Sequence, residues 1–312
     1  MPRKKRNDAI EEQSMPDMPM LLDARRNEPK EVLNLKHVLW RGDSESFLRE
    51  LPAEPQFDLV VTSPPYNIGK SYEKKSDLGA YLEWQERIID LIVPRLKDTG
   101  SLCWQVGNFV DNGQIAPLDI EFAPIFKKHG LQLRNRIVWH FGHGLHTKHR
   151  FSGRYEVVMW YTKTDDYVFD LNPVRVPSKY PGKRHFKGPK KGQISGNPLG
   201  KNPEDVWSIP NVKSNHPEKT EHPCQFPVGL IERLVLSMTK PDALVFDPFA
   251  GVASSGVECN EKPTRRPFQE FYAVICCTKQ GSTSVNLWNR GAAKASIPAV
   301  NISVLKKTTE LV

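Results

Sequence analysis

Phe57-Asp58-Leu59-Val60-Val61-Thr62-Ser63-Pro64-Pro65-Tyr66 combines an apolar run with a double proline. Its first five residues are a short, mainly apolar run of the kind carried by parallel strands buried on both faces. The run stops abruptly at Thr62-Ser63-Pro64-Pro65-Tyr66. Two consecutive prolines cannot continue a central strand, so this pentapeptide is expected at the strand's carboxyl end. In open α/β sheets that edge is where ligands bind.

The same punctuation recurs on either side. Upstream, Leu35 to Trp40 reads as a strand ending at Arg41-Gly42-Asp43, and a helical pattern follows with Phe47, Leu48 and Leu51 on one face. Downstream, Tyr81 to Leu96 carries apolar positions at Leu82, Ile88, Ile89, Leu91 and Ile92, which suits a helix packed on a sheet. A turn at Thr99-Gly100 leads to a strand from Ser101 to Val106, and a helix from Ile115 to Lys128 leads to a strand around Arg136 to Trp139. Further strands are expected at Glu156 to Tyr161 and Leu244 to Asp247, with a helix at Pro227 to Met238. Strands alternating with helices predict an α/β fold, a doubly wound and mostly parallel sheet.

The chain has 312 residues, 38% of them hydrophobic, enough for one large α/β domain with an added module or for two domains of about 150 residues. Its formal net charge of +8 suits a polyanionic partner, although a merely basic protein has the same sum. The five cysteines (Cys103, Cys224, Cys259, Cys276 and Cys277) are scattered and form no C-x-x-C pair. They argue against a disulfide framework and a zinc site, and a reducing cytoplasm with no metal is expected. No apolar run approaches the roughly 18 residues a membrane span needs. Arg3-Lys4-Lys5-Arg6 is followed by Asp8, Glu11 and Glu12, not by the apolar segment of a secretory signal.

Between Asp170 and Lys201 the pattern breaks. Arg175, Lys179, Lys183, Arg184, Lys187, Lys190, Lys191 and Lys201 crowd a glycine- and proline-rich stretch in which Asp170 is the only acid. Tyr180, His185 and Phe186 lie among these charges. Such a loop can track phosphates and reach base edges, or it can be a solvated excursion that orders only on a partner.

Two motifs carry chemistry. An aromatic amine is a poor nucleophile because its lone pair is delocalised into the ring. Acceptors placed against both N–H groups draw the nitrogen towards tetrahedral geometry. Ser63 Oγ and the Pro64 carbonyl can serve as those acceptors on a backbone stiffened by proline, and Tyr66 offers a flat face for an extruded base. The second motif, Phe246-Asp247-Pro248-Phe249-Ala250-Gly251, places an acid at a strand end before a small-residue turn. That suits a ligand with an ammonium group and a nucleoside. Taken singly, each is also an ordinary turn.

Together, and in this order, the motifs resemble the β-class amino-methylating DNA methyltransferases, over roughly residues 35 to 256. In that family a catalytic S/D/N-P-P-Y motif comes first, a target-recognition region follows, and a D-P-F-x-G cofactor motif comes last. Arg41-Gly42-Asp43, His222-Pro223-Cys224-Gln225-Phe226-Pro227 and Arg150-Phe151-Ser152-Gly153-Arg154-Tyr155-Glu156 resemble further family segments. The resemblance implies an S-adenosylmethionine-dependent methyltransferase fold with an inserted basic target-recognition region. It implies a site-specific, base-flipping DNA methyltransferase of a restriction-modification system. Ser63, Pro64, Pro65 and Tyr66 would be catalytic. Asp43, Thr62, His222, Gln225, Asp247, Pro248, Phe249, Ala250 and Gly251 would hold S-adenosylmethionine. Arg154, Arg175, Lys179, Lys183, Arg184, Lys187, Lys190 and Lys191 would contact double-stranded DNA. A cognate restriction endonuclease and a homodimer are the further partners the resemblance suggests.

The implied organisation is a polar arm (1–34), a catalytic half (35–169), the recognition region (170–215), a cofactor-binding half (216–260) and a divergent segment (261–312). Ser63 occurs in the family's cytosine-N4 enzymes and in some adenine-N6 enzymes, and Asn67-Ile68-Gly69-Lys70 inclines the reading to adenine. Two departures stand out. Ala253 replaces a usual glycine. The strand expected at Phe271 to Cys277 is followed by Thr278-Lys279-Gln280, without the acid that would hold the cofactor ribose. A catalytically impaired DNA-binding remnant is therefore the competing expectation. An RNA or small-molecule methyltransferase fits the basic insert less well, and a nucleotide-binding dehydrogenase would need a G-x-G-x-x-G opening that is missing.

Overall fold

The computed structural model describes residues 37–67, 76–111, 113–144, 146–213, 216–219 and 225–251, with the backbone alone for 20–23, 37, 39, 41, 111 and 272–277. In chain order the first half comprises β1 (Met20–Asp23), β2 (His37–Arg41), α1 (Ser44–Glu50), β3 (Phe57–Thr62), α2 (Leu78–Ile92) and β4 (Leu96–Val106). Then come β5 (Asn108–Asp111), β6 (Gln114–Pro117), α3 (Leu118–Lys128), β7 (Gln132–His140) and β8 (Tyr155–Thr162). The chain continues through β9 (Val206–Ser208), α4 (Val228–Met238), β10 (Leu244–Asp247) and β11 (Tyr272–Cys277).

Nine strands form one sheet in the order β1-β2-β11-β10-β3-β4-β8-β7-β9, and β5-β6 is a separate hairpin. The sheet is mostly parallel, as expected, with β8 antiparallel to both β4 and β7. Side chains alternate between its faces with a period of two. Leu102, Trp104, Val157, Met159 and Phe246 pack under α1, α2 and α3 on one side, whereas Leu59, Val61, Cys103, Val158 and Val245 meet α4 on the other. Aromatic rings tighten the first layer: Trp104 lies 5.9 Å from Phe126 in a T-shaped contact, and Phe57 stacks on Phe246 at 4.5 Å. At the amino edge, Asp58 Oδ2 accepts from Lys97 Nζ at 2.8 Å and from the Leu244 N–H at 2.9 Å, knitting β3, β4 and β10 together.

Four expectations are corrected. The helix read as running to Leu96 ends at Ile92 and tightens to a 3-10 turn at Val93–Arg95, because Pro94 lacks the N–H that a helix interior requires. Leu96 instead begins β4, which takes in the supposed Thr99-Gly100 turn. The helix read from Ile115 starts only at Leu118. Pro117 biases the residue before it to extended backbone, so Gln114–Pro117 forms the hairpin strand β6, with Gly113 at φ +80° in the tight turn. Within the stretch read as a polar arm, Met20–Asp23 pairs in parallel with β2.

The basic stretch also has its own backbone ladder. Val176 and Lys201 pair at its base, and Arg184 pairs with Ile194 nearer the tip. Ser195 N–H donates to Lys183 O at 2.8 Å, so the segment is a hairpin-like excursion between β8 and β9.

Candidate active site

Parallel pairing sets the site. β10 lies beside β3 with Phe246 opposite Val60, so both strands deliver their next residues to the same edge of the sheet. There Thr62 Oγ1 donates to Asp247 Oδ1 at 2.6 Å, and both side chains are buried. The same Oδ1 accepts the Phe249 N–H at 3.0 Å, which shapes the turn after β10. Gly251 closes that turn at φ +54°, a left-handed backbone that disfavours side chains. The two motifs, far apart in sequence, are therefore adjacent in space.

The loop after Thr62 is braced from below. Pro64 is buried, while Ser63, Pro65 and Tyr66 are half-buried. Ser63 Oγ donates to the Tyr66 hydroxyl at 3.0 Å. The Tyr66 hydroxyl faces Gln105 Oε1 at 2.6 Å and Glu156 Oε2 at 3.0 Å, and Gln105 Nε2 donates to Glu156 Oε2. Burial, followed by the Glu156 carboxyl, pushes the Tyr66 phenol well above its ordinary pKa. Burial likewise raises Glu156, partly offset by hydrogen bonds from Tyr66 and Gln105. Asn67 ends the loop at φ +60°, and its Oδ1 accepts the Ser76 N–H at 2.6 Å while its Nδ2 donates to Ser76 O at 2.7 Å. That pair fixes the exit of the chain from the site.

The expected cofactor residues divide. Thr62, Asp247, Pro248 and Gly251 lie together at the edge, but Phe249 turns inwards, its ring 5.5 Å from Trp84 and 6.1 Å from Trp104. Ala250 packs into the opposite layer with α4. Asp43 stands at the same edge beyond β2, where its Oδ1 accepts the Ser46 N–H at 2.9 Å and so caps α1. Gln225 donates to Glu218 O at 2.6 Å on the approach to α4. His222 lies outside the described residues, as do Ala253 and Thr278-Lys279-Gln280. β11 does form, between β2 and β10.

Among the basic residues, Lys179, Lys183, Arg184, Lys187, Lys190 and Lys191 are exposed. Arg175 is engaged in the base of the hairpin, with Nε donating to Asn172 Oδ1 at 2.9 Å and Nη1 to Gly200 O at 3.1 Å. Arg154 belongs to a different loop, 141–154, which leaves the sheet at His140 and returns at Tyr155 beside Glu156. Phe151 of that loop is 100% exposed.

Sequence reading missed Gln105 as a site residue, and named Glu156 only as the end of the Arg150–Glu156 segment that resembles a family motif, without a role of its own. The signal on offer was a polar residue inside the apolar run Leu102-Cys103-Trp104-Gln105-Val106 and an acid opening the run Val157-Val158-Met159. It missed Gly107 as well, where an added Cβ would stand 3.2 Å from Tyr66 Cε2 and 3.5 Å from Glu156 Cγ.

A doubly wound sheet with an acidic, glycine-closed turn beside a proline-stiffened loop at its carboxyl edge fits the methyltransferase class. The chain belongs to the N6/N4 amino-methyltransferase family, whose model, described as DNA methylase, matches residues 57–268. It is 50% identical over 228 residues to the type II methyltransferase M.BglII of Bacillus subtilis, covering 73% of this chain and 62% of that protein. It is 34% identical over 256 residues to the type II methyltransferase M.ScaI of Streptomyces caespitosus, covering 77% and 81% respectively. The PvuII DNA methyltransferase, cytosine-N4-specific, shares the fold with a TM-score of 0.59 at 21% identity, over 77% of this chain and 81% of that one.

Proposed function

We propose that the chain transfers a methyl group from S-adenosylmethionine to the exocyclic amino group of a base in duplex DNA, as the modification enzyme of a restriction-modification system in the cytoplasm. The observation that carries this reading is the 2.6 Å hydrogen bond between Thr62 and Asp247, which makes the acceptor loop and the acidic turn one site. A buried carboxylate at a strand end, next to a turn closed by Gly251, fits the ammonium group of the cofactor. Asp247 and the Pro248–Gly251 backbone would hold that cofactor. When bound it supplies an electrophilic methyl group, so no protein nucleophile is needed.

The remaining work falls to the loop. Ser63 Oγ and the Pro64 carbonyl accept from the two N–H groups of the target amine and localise its lone pair. Tyr66 gives the extruded base a ring to stack on. Adenine N6 and cytosine N4 present the same pair of N–H groups, so the cradle serves either. The exposed lysines of the 176–201 hairpin, with loop 141–154, take up phosphates and reach the grooves. A cognate endonuclease acting on the same sequence and a homodimeric state complete the proposal. Incubation with labelled cofactor and mixed duplex DNA, followed by nucleoside analysis, tests it: a labelled N-methyl nucleoside is expected, and its absence refutes the proposal.

A further inference from the structure

We infer that Glu156, together with Gln105, is a positioning residue that turns Ser63 into a pure hydrogen-bond acceptor towards the target amine. The inference deepens the function proposed above and rests on it. A phenol has one hydrogen to donate, and the Tyr66 hydroxyl faces two acceptors, Oε1 of the buried Gln105 at 2.6 Å and Oε2 of the half-buried Glu156 at 3.0 Å. Gln105 is held with its carbonyl towards Tyr66 because its Nε2 donates to the same Glu156 oxygen. The phenolic hydrogen is thus always drawn inwards, and the phenol oxygen is left with lone pairs only on the side of Ser63.

Ser63 responds by donating its own hydrogen to Tyr66 at 3.0 Å. Its remaining lone pairs are then the only polar feature it can present to an incoming amine, which offers N–H groups. Without the inward pull, the serine hydroxyl is free to rotate, and in some orientations it would meet the amine donor to donor. Glu156 touches neither reacting atom in this scheme. It acts through Tyr66.

A double-mutant cycle of Tyr66→Phe with Glu156→Ala tests this, because the Phe variant keeps the ring and removes only the hydroxyl. Glu156→Ala is expected to lower kcat about tenfold, by loss of one hydrogen-bonding acceptor, and to leave the KM for DNA and the Kd for S-adenosylmethionine within about twofold. Glu156→Gln, which retains a carbonyl acceptor, recovers most of that loss. In the Tyr66→Phe background Glu156→Ala has no further effect on kcat. If the alanine variant does not fold, Glu156→Met, of similar volume, takes its place in the cycle. Effects that multiply instead of merging, in a wild type that transfers methyl normally, overturn the positioning role. A wild type that transfers no methyl, while Tyr66 and Glu156 remain coupled in thermal unfolding, overturns the proposed function itself.

Discussion

Thr62 and Asp247 stand 185 residues apart in the chain and are joined by a 2.6 Å hydrogen bond between buried side chains. Each ends a strand, and the two strands are neighbours in the sheet. Thr62→Val keeps the shape and removes the donor to a buried carboxylate oxygen, so it is expected to cost about 1.5–3 kcal/mol of stability, as for a hydrogen bond to a charged group. Chemical denaturation measures it; an unchanged midpoint would mean that the bond does not form.

Asp247→Asn tests the cofactor assignment with little change of shape. The turn retains an oxygen for the Phe249 N–H, which Asp247 Oδ1 accepts at 3.0 Å. Loss of the charge should weaken S-adenosylmethionine by roughly 10- to 100-fold in titration calorimetry. Native affinity in this variant would move the ammonium site elsewhere.

Gly107 packs against Tyr66 of the Ser63–Tyr66 loop. A methyl group there would stand 3.2 Å from Tyr66 Cε2, tighter than ordinary van der Waals separation. Gly107→Ala should displace the ring and reduce kcat by about tenfold, the cost of one or two kcal/mol of misplacement. Cofactor affinity should hold, because Gly107 follows β4 and lies under Tyr66, away from the turn after β10. Equal losses in both would place the damage in folding and not in the loop.

Glu156 gives the fold a definable pH dependence. Burial raises its pKa above the usual carboxylate value, so the folded chain keeps a proton that the unfolded chain releases. Its contribution to stability is complete below the unfolded pKa and is lost as pH rises through the folded one. The gain in Tm of Glu156→Gln over wild type should therefore grow with pH across that window and then level off. A difference that is flat with pH would show that the carboxyl titrates normally.

The hairpin's exposed lysines make an electrostatic prediction. Replacing Lys187, Lys190 and Lys191 with alanine should weaken binding to any duplex. It should also flatten the dependence of log K on log salt by up to about 2.7, at about 0.9 for each phosphate no longer neutralised. Fluorescence anisotropy over a salt series reads this directly. An unchanged slope would remove the hairpin from the interface.

The sheet and the two motifs were legible because they are local. Apolar runs ending in Pro-Pro or Asp-Pro announce strand ends, and the carboxyl edge follows from strand direction. The antiparallel entry of β8 was not legible, since its apolar run reads alike in either direction, and this reversal is what carries Glu156 to the site. The inward turn of Phe249 was equally hidden: only the packing of Trp84 and Trp104 reveals it. Arg175 looked like its basic neighbours until its carbonyl and amide partners were seen.

The proposed function requires the Ser63–Pro64 cradle and a methyl donor anchored at Asp247 to share one cleft. Single-turnover transfer from tritiated S-adenosylmethionine to duplex DNA, with nucleoside analysis, measures it most directly in wild type and Ser63→Ala. Label in N6-methyladenine or N4-methylcytosine is expected for the wild type. A rate at least about 100-fold lower is expected for Ser63→Ala, in the range lost with one preorganised polar group, at undiminished cofactor affinity. Equal rates in the two proteins would contradict the proposed function.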